Sequence, residues 1–379
     1  MRRIVILMAS SLMLAIAGQS LAFAADETAS LETNTVPLGG KMYKEVRVPV
    51  QSTLEVEIHT PDTSKTVTPL KRTVMKFPTD LTYNPNNKVT PVCPDSVLNE
   101  DSNLGRGIAA TVDLCPRSVV GTGTSAIYLA KLHLVPAYLT DPKMVIFNGG
   151  RDSKGNARIK IYAFSKSTGT GILMQGSLTP AGVQDVAVPI LTSDSAVSSF
   201  TFNIPGQGIS VEDDAAPGGV RVVKGLDPEY ARAKCSTGRW KTSAALTLGE
   251  RDVATGQDAS LPFTVHAKPF IQNCSGLAGR PRLAKLTVSG PKIVVQGRTV
   301  NYKATIRNSG TATARGVRVS VSGGGRGTSS RFNLPPETTR SIRVPTRITG
   351  SKGSRTKLLV RAATGGVESK TSAPVRIRP

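Results

Sequence analysis

Few stretches of this chain carry residue types at a spacing that could do chemistry. Gly121-Thr-Gly123-Thr-Ser-Ala126 fits the G-x-G-x-x-A pattern of a dinucleotide loop, and Asp141 follows at a distance suited to a ribose contact. In such a loop the glycines let the backbone approach a pyrophosphate at a helix N-terminus. The segment Tyr128 to Leu139 is interrupted by Pro136, which opposes that helix, so the residues favour a strand and turn. Ser354-Arg-Thr-Lys357 fits S-x-x-K, the nucleophile pair of penicillin-interacting serine enzymes. That pair belongs at a helix start, and here it lies in a basic turn before a strand. No G-x-S-x-G and no H-E-x-x-H occurs. The base of any Ser-His-Asp triad must be His59, His133 or His266; His59 ends a strand and His266 lies in another, which favours solvent-facing or capping roles. Glu212-Asp213-Asp214 could offer carboxylates to calcium but lacks D-x-D-x-D-G spacing and reads as a solvated acidic loop. Trp240 lies five residues after Cys235, and aromatics are only 4% of the chain. A glycan groove needs several aromatics, so Trp240 reads as core packed on a disulfide. The sequence thus assigns no catalytic, cofactor-binding or metal-ligating residue.

The elements that would hold any site begin with an export signal. Arg2-Arg3, an apolar run from Ile4 to Ala17 and Ala22-Phe23-Ala24 read as a signal peptide over residues 1–24. The run is short for a membrane span, and no second long apolar run follows, so an exported chain without a transmembrane anchor is expected. In an oxidising compartment, the four cysteines are a disulfide set. The metal alternative lacks any C-x-x-C. Four cysteines allow three pairings. Nearest-neighbour pairing joins Cys93 to Cys115 and Cys235 to Cys274, 22 and 39 positions apart. Each loop closed this way contributes about 3–4 kcal/mol through the unfolded state.

Period-two alternation recurs along the chain. Leu54, Val56 and Ile58 alternate with Glu55 and Glu57; Phe200, Phe202 and Ile204 alternate with Thr201 and Asn203. Arg239 to Leu248 puts Trp240, Thr242, Ala244, Leu246 and Leu248 on one face. Short strands between Gly, Pro, Asp and Ser clusters predict an all-β chain: a large antiparallel β-sandwich followed by a smaller immunoglobulin-like sandwich. Asp227 to Lys234 is one of few stretches that read as a helical turn. The expected organisation is a polar, flexible lead-in over 25–40, a disulfide-containing domain over 41–275, a linker over 276–283 and a basic domain over 284–379. Within the first domain, Cys115 to Ala126 pins a surface loop beside an early core strand, with its glycines serving a turn.

Charge marks the domain break. Residues 280–379 hold 21 Lys/Arg against two acidic residues, Glu337 and Glu368, a balance of +19, whereas residues 26–279 hold 25 against 24. Strand alternation points Lys303, Arg307, Arg318 and Arg343 outward. A module this cationic is expected to contact anionic polymers, namely phosphate-bearing wall glycans, the envelope surface or, without specificity, nucleic acid. Arginine suits phosphate; the aromatic interleaving needed for base stacking is missing, with only Tyr302 and Phe332.

The run V-N-Y-K-A-T-I-R-N-S-G-T-A-T-A-R-G-V-R-V-S-V, Val300 to Val321, resembles the adhesion-related and conserved-repeat immunoglobulin-like domains of bacterial surface proteins. Leu334-Pro-Pro-Glu337 resembles their L-x-P-G segment, with Glu337 in place of the glycine. That resemblance implies a spacer or interaction module without catalytic residues. The larger domain resembles uncharacterised secreted β-proteins of high-GC Gram-positive bacteria, through Cys115 to Gly123, Phe147-Asn148-Gly149 and the late Cys, Trp, Cys series; this implies compartment and fold only.

The expected function is that of a secreted, non-enzymatic, cell-envelope-associated protein whose basic domain docks on anionic surface polymers. The alternatives are an extracellular hydrolase using carboxylates on adjacent strands, or a glycan-binding module, in residues 41–275. No cofactor is implied, and oligomeric state is not written in the sequence. Non-reducing mass mapping should find the two nearest-neighbour disulfides; any link between the two sets would overturn this layout.

Overall fold

A computed structural model describes residues 27–378 apart from 62–66, 101, 103, 130–136, 190–194, 251, 253 and 256. The expected leader and His133 lie outside the described residues. The chain is all-β, as its alternation predicts, and folds as two units. The large unit holds β1 (Thr28–Pro37), β2 (Val48–His59), β3 (Leu70–Lys76), β4 (Leu81–Tyr83), helix α1 (Gly107–Leu114), β5 (Val119–Leu129), β6 (Ala137–Leu139), β7 (Lys143–Arg151), β8 (Ala157–Ser165) and β9 (Thr170–Leu178). It continues with β10 (Val183–Ala187), β11 (Ala196–Ile204), β12 (Ile209–Glu212), β13 (Val220–Val223), β14 (Ala231–Ala233), β15 (Arg239–Leu248), β16 (Phe263–His266) and β17 (Phe270–Asn273).

One antiparallel sheet runs in the order β16-β15-β3-β10-β9-β8-β7-β5-β11-β2-β1, with β17 also on β15. It curls until its edges meet. At the seam the Gln272 side chain on β17 replaces a strand rung: Thr35 N–H donates to its Oε1 at 2.9 Å, and its Nε2 donates to the Thr35 carbonyl at 2.9 Å. The expected lead-in is therefore β1, in register with β2 from Thr28–His59 to Pro37–Val50. Its polar residues fit an edge strand with one ladder partner, which composition alone reads as loop. Likewise, Asp227 to Lys234 is no helical turn: Ala231 and Ala233 pair with β4 and β2, and the turn before them buries Tyr230 against Tyr83.

The curled sheet encloses the main core, built from Leu54, Val56, Met144, Ile146, Ile159, Ile161, Phe200, Leu246 and their neighbours. A second core lies outside the wall, where α1, the loop after Cys93 and the β12–β13 hairpin cover Val119, Val145, Phe147, Tyr162 and Leu173. Strands β7 and β8 are thus buried on both faces. Three contacts fasten this cover. Cys93 is bonded to Cys115, with Cα atoms 5.6 Å apart. Asn148, fully buried, donates to the Thr90 carbonyl at 2.6 Å and accepts from the Gly150 N–H at 2.9 Å. Lys160 occupies the nominally polar face of β8 yet has no exposure; its ammonium donates to the Leu98 carbonyl at 2.6 Å and pairs with Asp95 at 2.7 Å. Desolvation lowers the Lys160 pKa while Asp95 opposes it, and the Lys160 hydrogen bond holds Asp95 below the usual carboxylate range.

The glycines of the supposed dinucleotide loop lie inside β5, not at a turn. A Cβ on Gly121 would sit 2.6 Å from the Asn203 carbonyl oxygen, and one on Gly123 2.2 Å from that of Thr201. They let β11 approach β5. Trp240 is buried, as expected, in the core that includes Cys235 and Cys274, and donates from Nε1 to the Lys234 carbonyl at 3.1 Å. Cys235 and Cys274 are bonded, with Cα atoms 5.9 Å apart.

The C-terminal unit is a curled sandwich of β18 (Leu283–Ser289), β19 (Ile293–Val295), β20 (Thr299–Asn308), β21 (Ala314–Gly323), β22 (Gly325–Thr328), β23 (Phe332–Leu334), β24 (Thr339–Ile348), β25 (Arg355–Thr364) and β26 (Val367–Arg378). The order is β18-β20-β24-β22-β21-β25-β26-β19, antiparallel except for β19 on β26, with β23 on β21. Tyr302, Ala304, Ile306, Val317, Val319 and Val321 face inward, as their alternation predicts. The N-S-G segment has a physical role. Asn308 is fully buried and satisfies four backbone groups: it accepts from the N–H of Arg282 and of Gly310, each at 3.0 Å, and donates to the carbonyls of Ala312 and Leu334 at 2.8 and 2.9 Å. It thereby ties the connecting segment to the sandwich. Asn308→Ala should destabilise this unit by about 3 kcal/mol, because it strands buried partners; calorimetry showing a loss under about 1 kcal/mol would contradict that role.

Candidate functional site

The charged face of the C-terminal unit follows from its registers. In β20 and β24, Lys303 and Arg343 are direct cross-strand partners, and Arg307 is exposed farther along β20. Arg326 of β22 faces Arg347 of β24; Arg355 and Arg361 of β25 face Arg376 and Lys370 of β26. Four cation pairs therefore stand on directly opposite positions, an arrangement that is destabilising unless an anion lies between. A carboxylate serves one of them: Glu368 accepts from Arg361 at 2.6 Å and Lys370 at 2.5 Å. Lys370 first, then Arg361, hold the Glu368 carboxyl below its ordinary range.

The structure does not bring all four predicted contact residues together. Lys303, Arg307 and Arg343 share the β20–β24 surface, while Arg318 belongs to β21, which β22 separates from β24. Arg318 lies in a cleft of about 490 Å³ with Arg315, Arg331 and Arg361, floored by the Gly365-Gly366 turn. Gly365 and Gly366 have φ of 44° and 86°, the left-handed conformation that suits glycine. Among the described residues, Arg315, Arg318 and Arg331 make no ion pair; the acidic group in the cleft, Glu368, is already shared. Sequence alternation finds Arg318 but misses Arg315 and Arg331, because they approach it from a strand start and a loop.

The other chemical candidates come apart. Ser30 Oγ and Glu57 Oε2 both lie 3.4 Å from the same His59 nitrogen, Nε2, on an exposed face. A triad needs them on opposite ring nitrogens. His266 is exposed on β16. Ser354 donates to the Ser351 carbonyl at 2.5 Å in the turn before β25, whereas Lys357 lies within the strand. Glu212 pairs with Lys166 at 2.5 Å and Asp213 with Arg221 at 3.1 Å, so this acidic turn has cations for partners. No group of three metal-binding side chains occurs among the described residues.

Two carboxylates do converge where the units meet, in a cleft lined by Glu45, Arg47, Arg232 and Glu337. Each is engaged. Glu45 accepts from the backbone N–H of Thr313 at 2.7 Å and from its hydroxyl, and Glu337 lies 3.8 Å from Arg232. Glu337 has φ 59°. The turn thus holds a non-glycine residue in a left-handed conformation, at a strain of about 1 kcal/mol, with a side chain that reaches the large unit. The segment 276–283 is also held: Leu277 N–H donates to Met42 O at 2.9 Å, and Lys44 N–H to Leu277 O at 3.1 Å. These groups form a clasp between units, and both carboxylates in it are committed to that contact.

No protein-family model matches the chain, and no curated protein matches it. Among solved structures, the crystal structure of the S-layer protein SbsC domains 4 and 5 aligns with a TM-score of 0.19 and 11% identity, over 62% of this chain and 98% of that chain. A likeness at that level carries no argument.

The clasp has a pH dependence of definite sign. The Thr313 hydroxyl and N–H hold the Glu45 carboxyl below its ordinary value. Its contribution is present above the unfolded carboxylate pKa and is lost as pH falls through the depressed folded one. Hydrogen exchange at the amides of Lys44 and Leu277, corrected for intrinsic pH effects, should accelerate across that window. Glu45→Gln should show the faster exchange already at neutral pH; unchanged protection in that variant would contradict the clasp.

Proposed function

We propose that this chain is exported and docks through its C-terminal unit on phosphate-bearing polymers of the cell envelope. The observation that carries the reading is the set of cation pairs at Lys303–Arg343, Arg326–Arg347 and Arg355–Arg376, directly opposed on neighbouring strands with no carboxylate between them among the described residues. Such pairs repel, and an anion laid across them converts repulsion into attraction. The arginine cleft adds three guanidiniums without ion-pair partners among the described residues, each able to present two parallel donors to phosphate oxygens. Lys303, Arg307 and Arg343 supply a second contact surface, so an extended polymer suits the unit better than a single small anion.

Supporting features concern compartment. Two disulfides fit an oxidising environment, and no described helix is long and apolar enough to cross a membrane. Nucleic acid fits only as a non-specific polyanion, because Tyr302 and Phe332 are core residues unavailable for base stacking. For the hydrolase alternative, the carboxylates of the inter-unit cleft are committed to Thr313 and Arg232, and the adjacent-strand pair Glu32–Glu55 of β1 and β2 stands on an exposed face. A buried Trp240 likewise removes the one aromatic that favoured a glycan platform.

Full-length protein should bind purified walls and inorganic polyphosphate, with affinity falling steeply as salt rises. Replacing Arg315, Arg318 and Arg331 together by Ser should weaken binding roughly tenfold or more, equivalent to about 1.4 kcal/mol; the same change at Lys303, Arg326 and Arg355, one member of each opposed pair, should weaken it at least as much. Parent-like binding by both triple variants, or indifference to salt, would overturn the proposal.

A further inference from the structure

The interior of the large unit is not completely filled. Between the inner faces of β2, β3, β5, β7, β8, β9, β10 and β11 lies a cavity of about 70 Å³. Its lining is mostly apolar and includes Met75, Met144 and Met174, three of the four methionines among the described residues. A second void of about 20 Å³ shares Leu54, Gln184 and Phe202 with it. Methionine is the side chain best able to move aside for an irregular apolar guest.

The β8–β9 register sets the cavity's axis. Ser165–Thr170, Ala163–Ile172 and Ile161–Met174 are successive inward rungs, and all six residues line the space. Three rungs two residues apart span roughly 14 Å at the usual strand rise. The cavity's volume is smaller than a bound alkyl chain, so a guest enters only as Met75, Met144 and Met174 move aside along the rungs, which favours a slender chain over a ring system. Hydroxyls of Ser165, Thr168 and Thr170 collect at one end, and Gln184, whose Oε1 accepts from Tyr83 at 3.1 Å, lies toward the other.

We infer that this cavity is a binding site for a slender, uncharged apolar molecule, an alkyl chain ending in a hydroxyl. The charge at the polar end selects the head group. Asp141 adjoins the lining residue Pro142 and accepts from Ser165 Oγ at 3.1 Å and from the Ser167 N–H at 2.8 Å. Burial opposes its charge, but these donors keep its carboxyl below the usual range. The nearby cations are engaged elsewhere, Lys143 with the Ser210 carbonyl and Lys166 with Glu212, each at 2.5 Å. A fatty carboxylate would be drawn toward a like charge behind Ser165, whereas an alcohol can donate to the hydroxyl oxygens of Ser165, Thr168 and Thr170, which themselves donate to Asp141 and to backbone carbonyls. This site is independent of the docking surface, since it lies in the other unit.

The probe is 2,4,6,8-decatetraen-1-ol, a slender neutral polyene alcohol whose emission rises in apolar surroundings and which is not drawn to the arginine surface. Its fluorescence should rise severalfold with full-length protein. Decanol should displace it at a concentration at least tenfold lower than decanoate at neutral pH, and Asp141→Asn should narrow that gap. Ala163→Phe, which fills a middle rung, should weaken probe binding at least tenfold with circular dichroism unchanged; Ile172→Trp provides the same test should the first variant not fold. No fluorescence rise, or parent-like binding by a folded filled variant, would overturn the site. Equal displacement by decanoate and decanol would overturn the uncharged head group.

Discussion

Strands β7 and β8 are buried on both faces, and much of the large unit follows from that constraint. A backbone with no access to water must pair every N–H and carbonyl, and any polar side chain beside it must be satisfied in place. Asn148 and Lys160 meet that demand by bonding the very loop that buries them. The cover cannot hold itself with α1 alone, a helix of eight residues, well below the length at which helices persist unaided. The Cys93–Cys115 bond limits how far that cover can stray in the unfolded chain. The same crowding explains Gly121 and Gly123, which admit β11 against the opposite flank of the wall.

The C-terminal unit solves the opposite problem. Its core is simple alternation, and its surface carries the tension. Cations stand opposite cations on three strand pairs without compensation among the described residues, so part of the favourable core burial offsets repulsion at the surface. Such a surface is a poor choice for stability alone and a good one for capturing anions. The clasp at Glu45, Thr313, Arg232 and Glu337 joins this surface to the neutral unit. Glu337 accepts left-handed strain there, and its side chain reaches Arg232 of the large unit.

Sequence made the periodic parts legible. Inward faces at Trp240 to Leu248 and at Tyr302 to Ile306, both disulfides and the charge boundary near residue 280 are all local patterns. What escaped depends on partners distant in sequence. Segment 28–37 looks like polar lead-in until β2 is placed beside it. Gly121 and Gly123 look like a turn or a phosphate loop until β11 presses on them. Lys160 looks solvated until the Cys93 loop folds over it. Arg318 seems to lie beside Lys303 because outward alternation does not say how many strands stand between β20 and β21. The interior cavity has no linear signature, since eight strands line it.

We propose that the C-terminal unit's cation pairs await an anion. Calorimetry of the full-length protein with added tripolyphosphate tests it most directly, because a ligand that binds only the folded state raises its melting temperature with concentration. The C-terminal transition should rise with tripolyphosphate well beyond the effect of sodium chloride at equal ionic strength, while the large unit's transition stays in place. Equal shifts in the two salts, or a shift confined to the large unit, would contradict it.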